Sequence, residues 1–184
     1  MRNRFFSHEV KPFHIIGKTH LDEWPLPLEE SWNIFADTIR NFHEDYGIIT
    51  HAFVLMKNHY HWLCTVDLKT WPGLFELFHE DLNFEFFHRS EFHNDLLYTL
   101  DYEPQILQVS AFPYYKALYR YVYSNPVTAG VVSQAIDYPF STLRYALGEP
   151  DCPFMVIDNM HLIIDPVLTL HWIETGEEYL RVAQ

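Results

Sequence analysis

The chain has 184 residues and a mass of 22.0 kDa, with 48% apolar and 20% charged side chains; this suits one globular domain with an appendage and excludes a disordered chain. Two cysteines, Cys64 and Cys152, exclude a disulfide scaffold and point to a reducing, cytoplasmic setting, while the lack of a long apolar run or of a secretory leader at residues 1–6 implies no membrane association. The net charge of -13 argues at face value against a nucleic-acid partner, because phosphate binding is driven by Lys and Arg.

Residues 13–20 read as a first strand with Pro12 at its edge. Leu28, Trp32, Phe35, Ile39, Phe42 and Tyr46 recur at spacings of four and three, which predicts a helix of about five turns that Gly47 stops. Ile48–Leu55 is a β-rich run. Met56-Lys57-Asn58 turns the chain, and His59–Val66 returns antiparallel. Leu74, Phe75, Phe78, Leu82 and Phe86 form a second helical stripe after Pro72-Gly73. Residues 90–104 are polar and acidic and read as a loop, and Gln105–Val109 as a short edge strand. Ser110 is a candidate N-cap with Pro113 in the first turn, and a Tyr-rich helix follows to about Asn125.

The order β-α-β-β-α-β-α predicts an α+β fold. Its first six elements match a ferredoxin-like antiparallel sheet with helices on one face. Residues 1–148 form the main domain in this reading, and 149–184 an appendage docked on it. Phe154–Ile157 and His161–Ile164 are short apolar runs there, and Asp165-Pro166 starts a last helix.

Two elements carry chemistry. His59 and His61 flank Tyr60 on a strand, so both imidazoles share one face and can reach one metal ion, while Tyr60 and Trp62 take the other face. Taken alone, a His-x-His pair is more often two half-buried histidines. Tyr121 and Asn125 lie four apart on the third helix and share a face. A phenol can attack phosphorus, and a carboxamide oxygen can join two imidazoles on a metal. Arg120, about 100° round the helix, can hold a phosphate from the side. Taken alone, a tyrosine stripe is more often packing. His79, His88 and His93 share no helical face and read as surface residues, and Cys64 as a buried apolar one. Tyr114, Tyr115 and Tyr119 offer stacking surfaces for bases, although a ring-rich chain buries most of its rings.

Taken together, the motifs resemble a known family. Phe53-Val54-Leu55-Met56-Lys57-Asn58-His59-Tyr60-His61-Trp62-Leu63 resembles the V-L-M-P-N-H-h-H-h-L strand pair of the HUH-type tyrosine transposases, the single-strand transposases of insertion sequences. Tyr121-Val122-Tyr123-Ser124-Asn125-Pro126-Val127-Thr128-Ala129-Gly130-Val131-Val132 is similar to the Y-I-x-x-N-P-V-x-A-G-L-V signature of the REP-associated tyrosine transposases. Asp137–Thr142 resembles the x-Y-P-W-S-S segment that follows it, and Phe13–Thr19 the Y-H-V-T-x-R first strand. The resemblance spans residues 10–146 in order.

It implies a ferredoxin-like sheet, a divalent ion (Mg²⁺ or Mn²⁺) on His59, His61 and Asn125, and Tyr121 as a nucleophile that forms a 5′-phosphotyrosyl intermediate. Tyr123 competes for that role but faces away from Asn125. The substrate would be single-stranded DNA with a hairpin, from mobile or repetitive elements, handled by a homodimer or a monomer. Zinc is not implied, for want of a cysteine pair or a third histidine at ligand spacing. Residues 1–20 and 104–148 carry more base than acid, and with Lys57 they supply the candidate DNA contacts Lys18, Lys57, Lys116, Arg120 and Arg144. Two departures stand out: Lys57 replaces the family's proline, and the second helix carries Glu76, Glu80, Asp81 and Glu85 where relatives are basic. Two alternatives stay open, a domesticated non-catalytic module binding nucleic acid or protein, and a His-x-His phosphoesterase with a water nucleophile.

Overall fold

The computed structural model describes residues 10–67, 69, 73–90, 104–157 and 165–177. Strand β1 (Val10–Lys18) leads to helix α1 (Leu28–Tyr46), the hairpin of β2 (Ile49–Leu55) and β3 (His59–Asp67), helix α2 (Leu74–Arg89), edge strand β4 (Gln105–Gln108) and helix α3 (Phe112–Thr128). A 3₁₀ turn (Ala135–Asp137), the one-turn helix α4 (Leu143–Ala146) and helix α5 (Pro166–Thr175) complete the described elements. The four strands lie in the order β2-β3-β1-β4 with every neighbouring pair antiparallel, so the fold is α+β with a ferredoxin-like sheet.

The period-two pattern of the strands separates two cores. Phe13, Ile15, Phe53, Leu55, Tyr60, Trp62 and Cys64 face α1 and α2, meeting Trp32, Phe35, Ile39, Phe42, Leu74, Phe75, Phe78, Leu82 and Phe86. Each of the fully buried rings contributes about 1.5–3 kcal/mol by leaving water. Ala52, Val54 and Leu63 point the other way, onto Tyr115, Leu118, Tyr119, Val122 and Tyr123 of α3. The first two helices therefore share one face and the third covers the second. Gly47 ends α1 at φ 66°, in the left-handed conformation that glycine adopts without strain.

Some local expectations shift. Helix α3 continues through Pro126 to Thr128. Proline sacrifices only its own bond to the preceding turn, and Ala129 N–H to Asn125 O, Gly130 N–H to Val127 O and Val131 N–H to Pro126 O close the end. Burial of Pro126 holds the extra turn in place. The residue capping α3 is Ala111 in place of Ser110, with Pro113 in the first turn as expected. His79 is buried, contrary to the surface reading, because its Nε2 meets the hydroxyl of buried Tyr60 at 2.7 Å. His88 is exposed, and His93 lies outside the described residues, as do most of the predicted 90–104 loop and the run 161–164.

The segment 138–142 closes the outer edge of β2. Leu55 N–H donates to Phe140 O, Thr142 N–H to Phe53 O, Phe53 N–H to Thr142 Oγ1 and Tyr138 Oη–H to Leu55 O. Ile157 N–H to Thr50 O continues that cover further along the strand. Saturating the edge removes a row of open donors and acceptors. Helix α5 begins at Asp165, whose carboxylate accepts from Val167 N–H and Leu168 N–H. It packs Trp172 and Ile173 into the α3 core.

Candidate active site

The site lies where the β2–β3 hairpin meets α3. Met56 N–H bonds His59 O at 2.8 Å to make the tight turn. Residues 19–24 brace that turn: Thr19 N–H donates to Asn58 O, Trp24 N–H to Lys57 O, and the Trp24 indole N–H to Met56 O. The turn therefore delivers His59 and His61 to one face of β3, with Tyr60 and Trp62 buried on the opposite face.

Helix α3 supplies the rest from the same chain. Asn125 Nδ2 lies 3.0 Å from His61 Nε2. The Tyr121 ring meets the His61 ring edge-on with centroids 5.2 Å apart, and Tyr121 remains 46% exposed. The His59 and His61 rings are 5.1 Å apart and perpendicular. All four sequence-predicted site side chains thus converge. Tyr123 points away, fully buried, with its hydroxyl 3.0 Å from Thr142 Oγ1.

Two neutral imidazoles and a side-chain amide are groups that could ligate a divalent ion. The 3.0 Å between Asn125 Nδ2 and His61 Nε2 is a hydrogen bond from the amide N–H to a bare imidazole nitrogen, and turning the amide over would present its oxygen to an ion at that place. Asn58 Oδ1 accepts from His59 Nδ1 at 2.9 Å, which leaves the lone pair on His59 Nε2. Burial pushes His61 down to about 3, helped by His14, His59 and Lys18, so its imidazole is neutral at neutral pH. Burial and the charge of Lys18 lower His59 as well. Among the described residues no group of three or more His, Cys, Asp or Glu side chains could hold a metal ion; the candidate ligands here are two imidazoles and an amide.

Sequence reasoning missed one member. His14 of β1 is 1% exposed, its Nε2 lies 3.2 Å from His61 Nδ1, and its ring packs edge-on to Tyr121 at 6.0 Å. Burial lowers its pKa to about 4. Its position within the first-strand motif was visible, but its partner lies 47 residues away.

The candidate DNA contacts separate. Lys18 stands opposite His59 in the β1–β3 ladder and is exposed. Lys57 is exposed at the hairpin tip, 3.6 Å from Glu23. The other three face structural partners: Lys116 lies over the Trp172 ring at 5.2 Å, Arg120 donates to Trp172 O, and Arg144 donates to Ile136 O and Asp137 O. Among the tyrosines, Tyr115 and Tyr119 are buried and Tyr114 is exposed. The acids of α2 lie on the helix that packs against the opposite face of the sheet from His61. Among the described residues no helix is long and apolar enough to cross a membrane.

No sequence-family model and no curated protein matches the chain in sequence. Among solved structures the chain is similar to a REP-associated tyrosine transposase bound to a REP hairpin, with a TM-score of 0.63 and 17% identity over 86% of this chain and 92% of that one. The protein therefore has the fold of that transposase.

Proposed function

We propose that the protein is a metal-dependent nuclease and strand transferase of single-stranded DNA, transposase-like in its chemistry. The observation carrying this reading is the approach of Tyr121 and Asn125, on one face of α3, to the His61 imidazole. The fold shared with a transposase that binds a hairpin supports DNA with a hairpin as the partner.

In this reading Tyr121, whose ring is exposed, attacks the scissile phosphate in line. A bond forms between its phenolic oxygen and phosphorus while the bond from phosphorus to the 3′ oxygen breaks. The phenolic proton passes to solvent, and the 3′ oxygen leaves as a hydroxyl after taking a proton from water. The 5′-phosphotyrosyl linkage conserves the phosphodiester's energy, so a 3′-hydroxyl can reverse the step without ATP. His59, His61 and Asn125 would hold an Mg²⁺ or Mn²⁺ ion, which when bound would supply Lewis-acid polarisation of the phosphate. Lys18 adds positive charge beside His59.

Incubation with labelled single-stranded hairpin oligonucleotides and Mn²⁺ tests the reading. A denaturant-resistant protein–DNA adduct is expected, and it disappears in Tyr121→Phe and on addition of EDTA. Cleavage that survives Tyr121→Phe would mean a water nucleophile. The crowded acids of α2, where burial, Glu80, Glu85 and Asp45 raise Asp81, favour as a second reading a non-catalytic binding module, for which no cleavage is expected.

A further inference from the structure

We infer that His14 is a positioning residue that fixes the tautomer of His61, so that His61 Nε2 presents its lone pair to a divalent ion. The inference rests on the metal-dependent reading above and adds a member to it.

His61 has two ring nitrogens and each has a neighbour. Nε2 accepts from Asn125 Nδ2 at 3.0 Å in the metal-free chain, an amide that must turn over to offer its oxygen to an ion, and Nδ1 faces His14 Nε2 at 3.2 Å; once the amide turns, His14 is the neighbour left to hold the proton on Nδ1. A neutral imidazole carries one proton, so a nitrogen that binds metal forces the proton onto the other. An acceptor at Nδ1 selects the tautomer with Nδ1–H and a bare Nε2. His14 is the side chain at that place. The two rings lie 5.3 Å apart at 22°, so packing holds them in a fixed relation. His59 has an equivalent partner, since Asn58 Oδ1 accepts from its Nδ1. Both imidazoles thus have their proton drawn away from Nε2.

The burial of His14 makes a packing role a poor explanation. Its Nδ1 is buried and has no hydrogen-bond partner among the described residues. A polar atom left unsatisfied costs stability that an apolar side chain would avoid. Cross-strand neighbours Leu63 and Leu107 flank it, so an aliphatic residue would suit the sheet face. When His14 accepts from His61, its own proton must sit on that unpartnered Nδ1. The cost falls on the atom that this tautomer requires.

The experiment uses the full chain without DNA. Nitrogen-15 NMR of the metal-free protein reads the His61 tautomer, and Mn²⁺ titration followed by electron paramagnetic resonance reads affinity. The wild type is expected to hold His61 as Nδ1–H. His14→Phe keeps a ring and removes the acceptor; it is expected to shift His61 toward Nε2–H and weaken Mn²⁺ binding about 10- to 100-fold. His14→Gln restores an acceptor and is expected to recover most of the affinity. A wild-type His61 in the Nε2–H form overturns the inference even if His14→Phe fails to fold. So does equal Mn²⁺ affinity in wild type and His14→Phe, or a folded His14→Gln as weak as His14→Phe. Failure of the wild type to bind Mn²⁺ sinks the metal-dependent reading instead, and the tautomer measurement still decides the role of His14.

Discussion

Gly17 and Tyr60 face each other across the β1–β3 ladder, and a Cβ on Gly17 would run into the Tyr60 ring. Tyr60 cannot retreat, because it is fully buried and its hydroxyl is bound to His79. Gly17→Ala is therefore expected to destabilise the fold by about 1–3 kcal/mol, read as a lower urea midpoint. A variant as stable as wild type would show that the ring can move. The same strand shows what single residues hide in a sequence. His59 and His61 announced themselves by their spacing, and Tyr121 and Asn125 by theirs. His14 sits in an alternating apolar strand and looks like any core position. Its meaning depends on a pairing register that no local pattern encodes.

At the scale of elements, local rules worked where local physics decides the outcome. The stripe of α1 and its Gly47 stop, the β2–β3 turn and the Asp165 cap of α5 all follow from side chains within a few residues. The end of α3 did not, since burial of Pro126 outweighs a preference for ending the helix at Asn125. His79 escaped for the same reason, because its partner lies on another element. Helix α5 gives a direct check on how tightly residues 165–177 are held. Asp165→Ala removes two N-terminal hydrogen bonds and is expected to cost about 0.5–2 kcal/mol. Arg120→Ala removes the tie to Trp172 O. Either variant is expected to speed amide exchange in 166–175 while leaving β1 and β3 protected. Uniform acceleration across all elements would instead make α5 part of one cooperative unit with the sheet.

Across the whole molecule, several histidines are held neutral by burial. His14 and His43 are pushed down to about 4 and His61 to about 3. Unfolded, each takes up a proton near pH 6.5. Above that pH neither state is charged and these groups have no effect. Below it the unfolded chain binds protons that the folded chain refuses, so stability falls from pH 6.5 toward 4. The two most buried, His14 and His61, each contribute up to about 1.4 kcal/mol per pH unit in that window. Urea midpoints measured between pH 7.5 and 4.5 are expected to drop steadily below 6.5. A flat profile would mean that the rings accept protons in place. The overall charge of -13 is unevenly placed about the proposed site, with the acids of α2 and the site histidines on opposite sides of the sheet.

The phenol, the carboxamide and the imidazoles all come from one polypeptide, joined by a single approach of α3 to β3. In the proposed route one chain thus carries the whole set. Bond breakage by the proposed route is then first order in protein, and the fraction of chains that become linked to DNA under saturating substrate stays constant on dilution. A requirement for pairing would instead make that fraction collapse at low concentration.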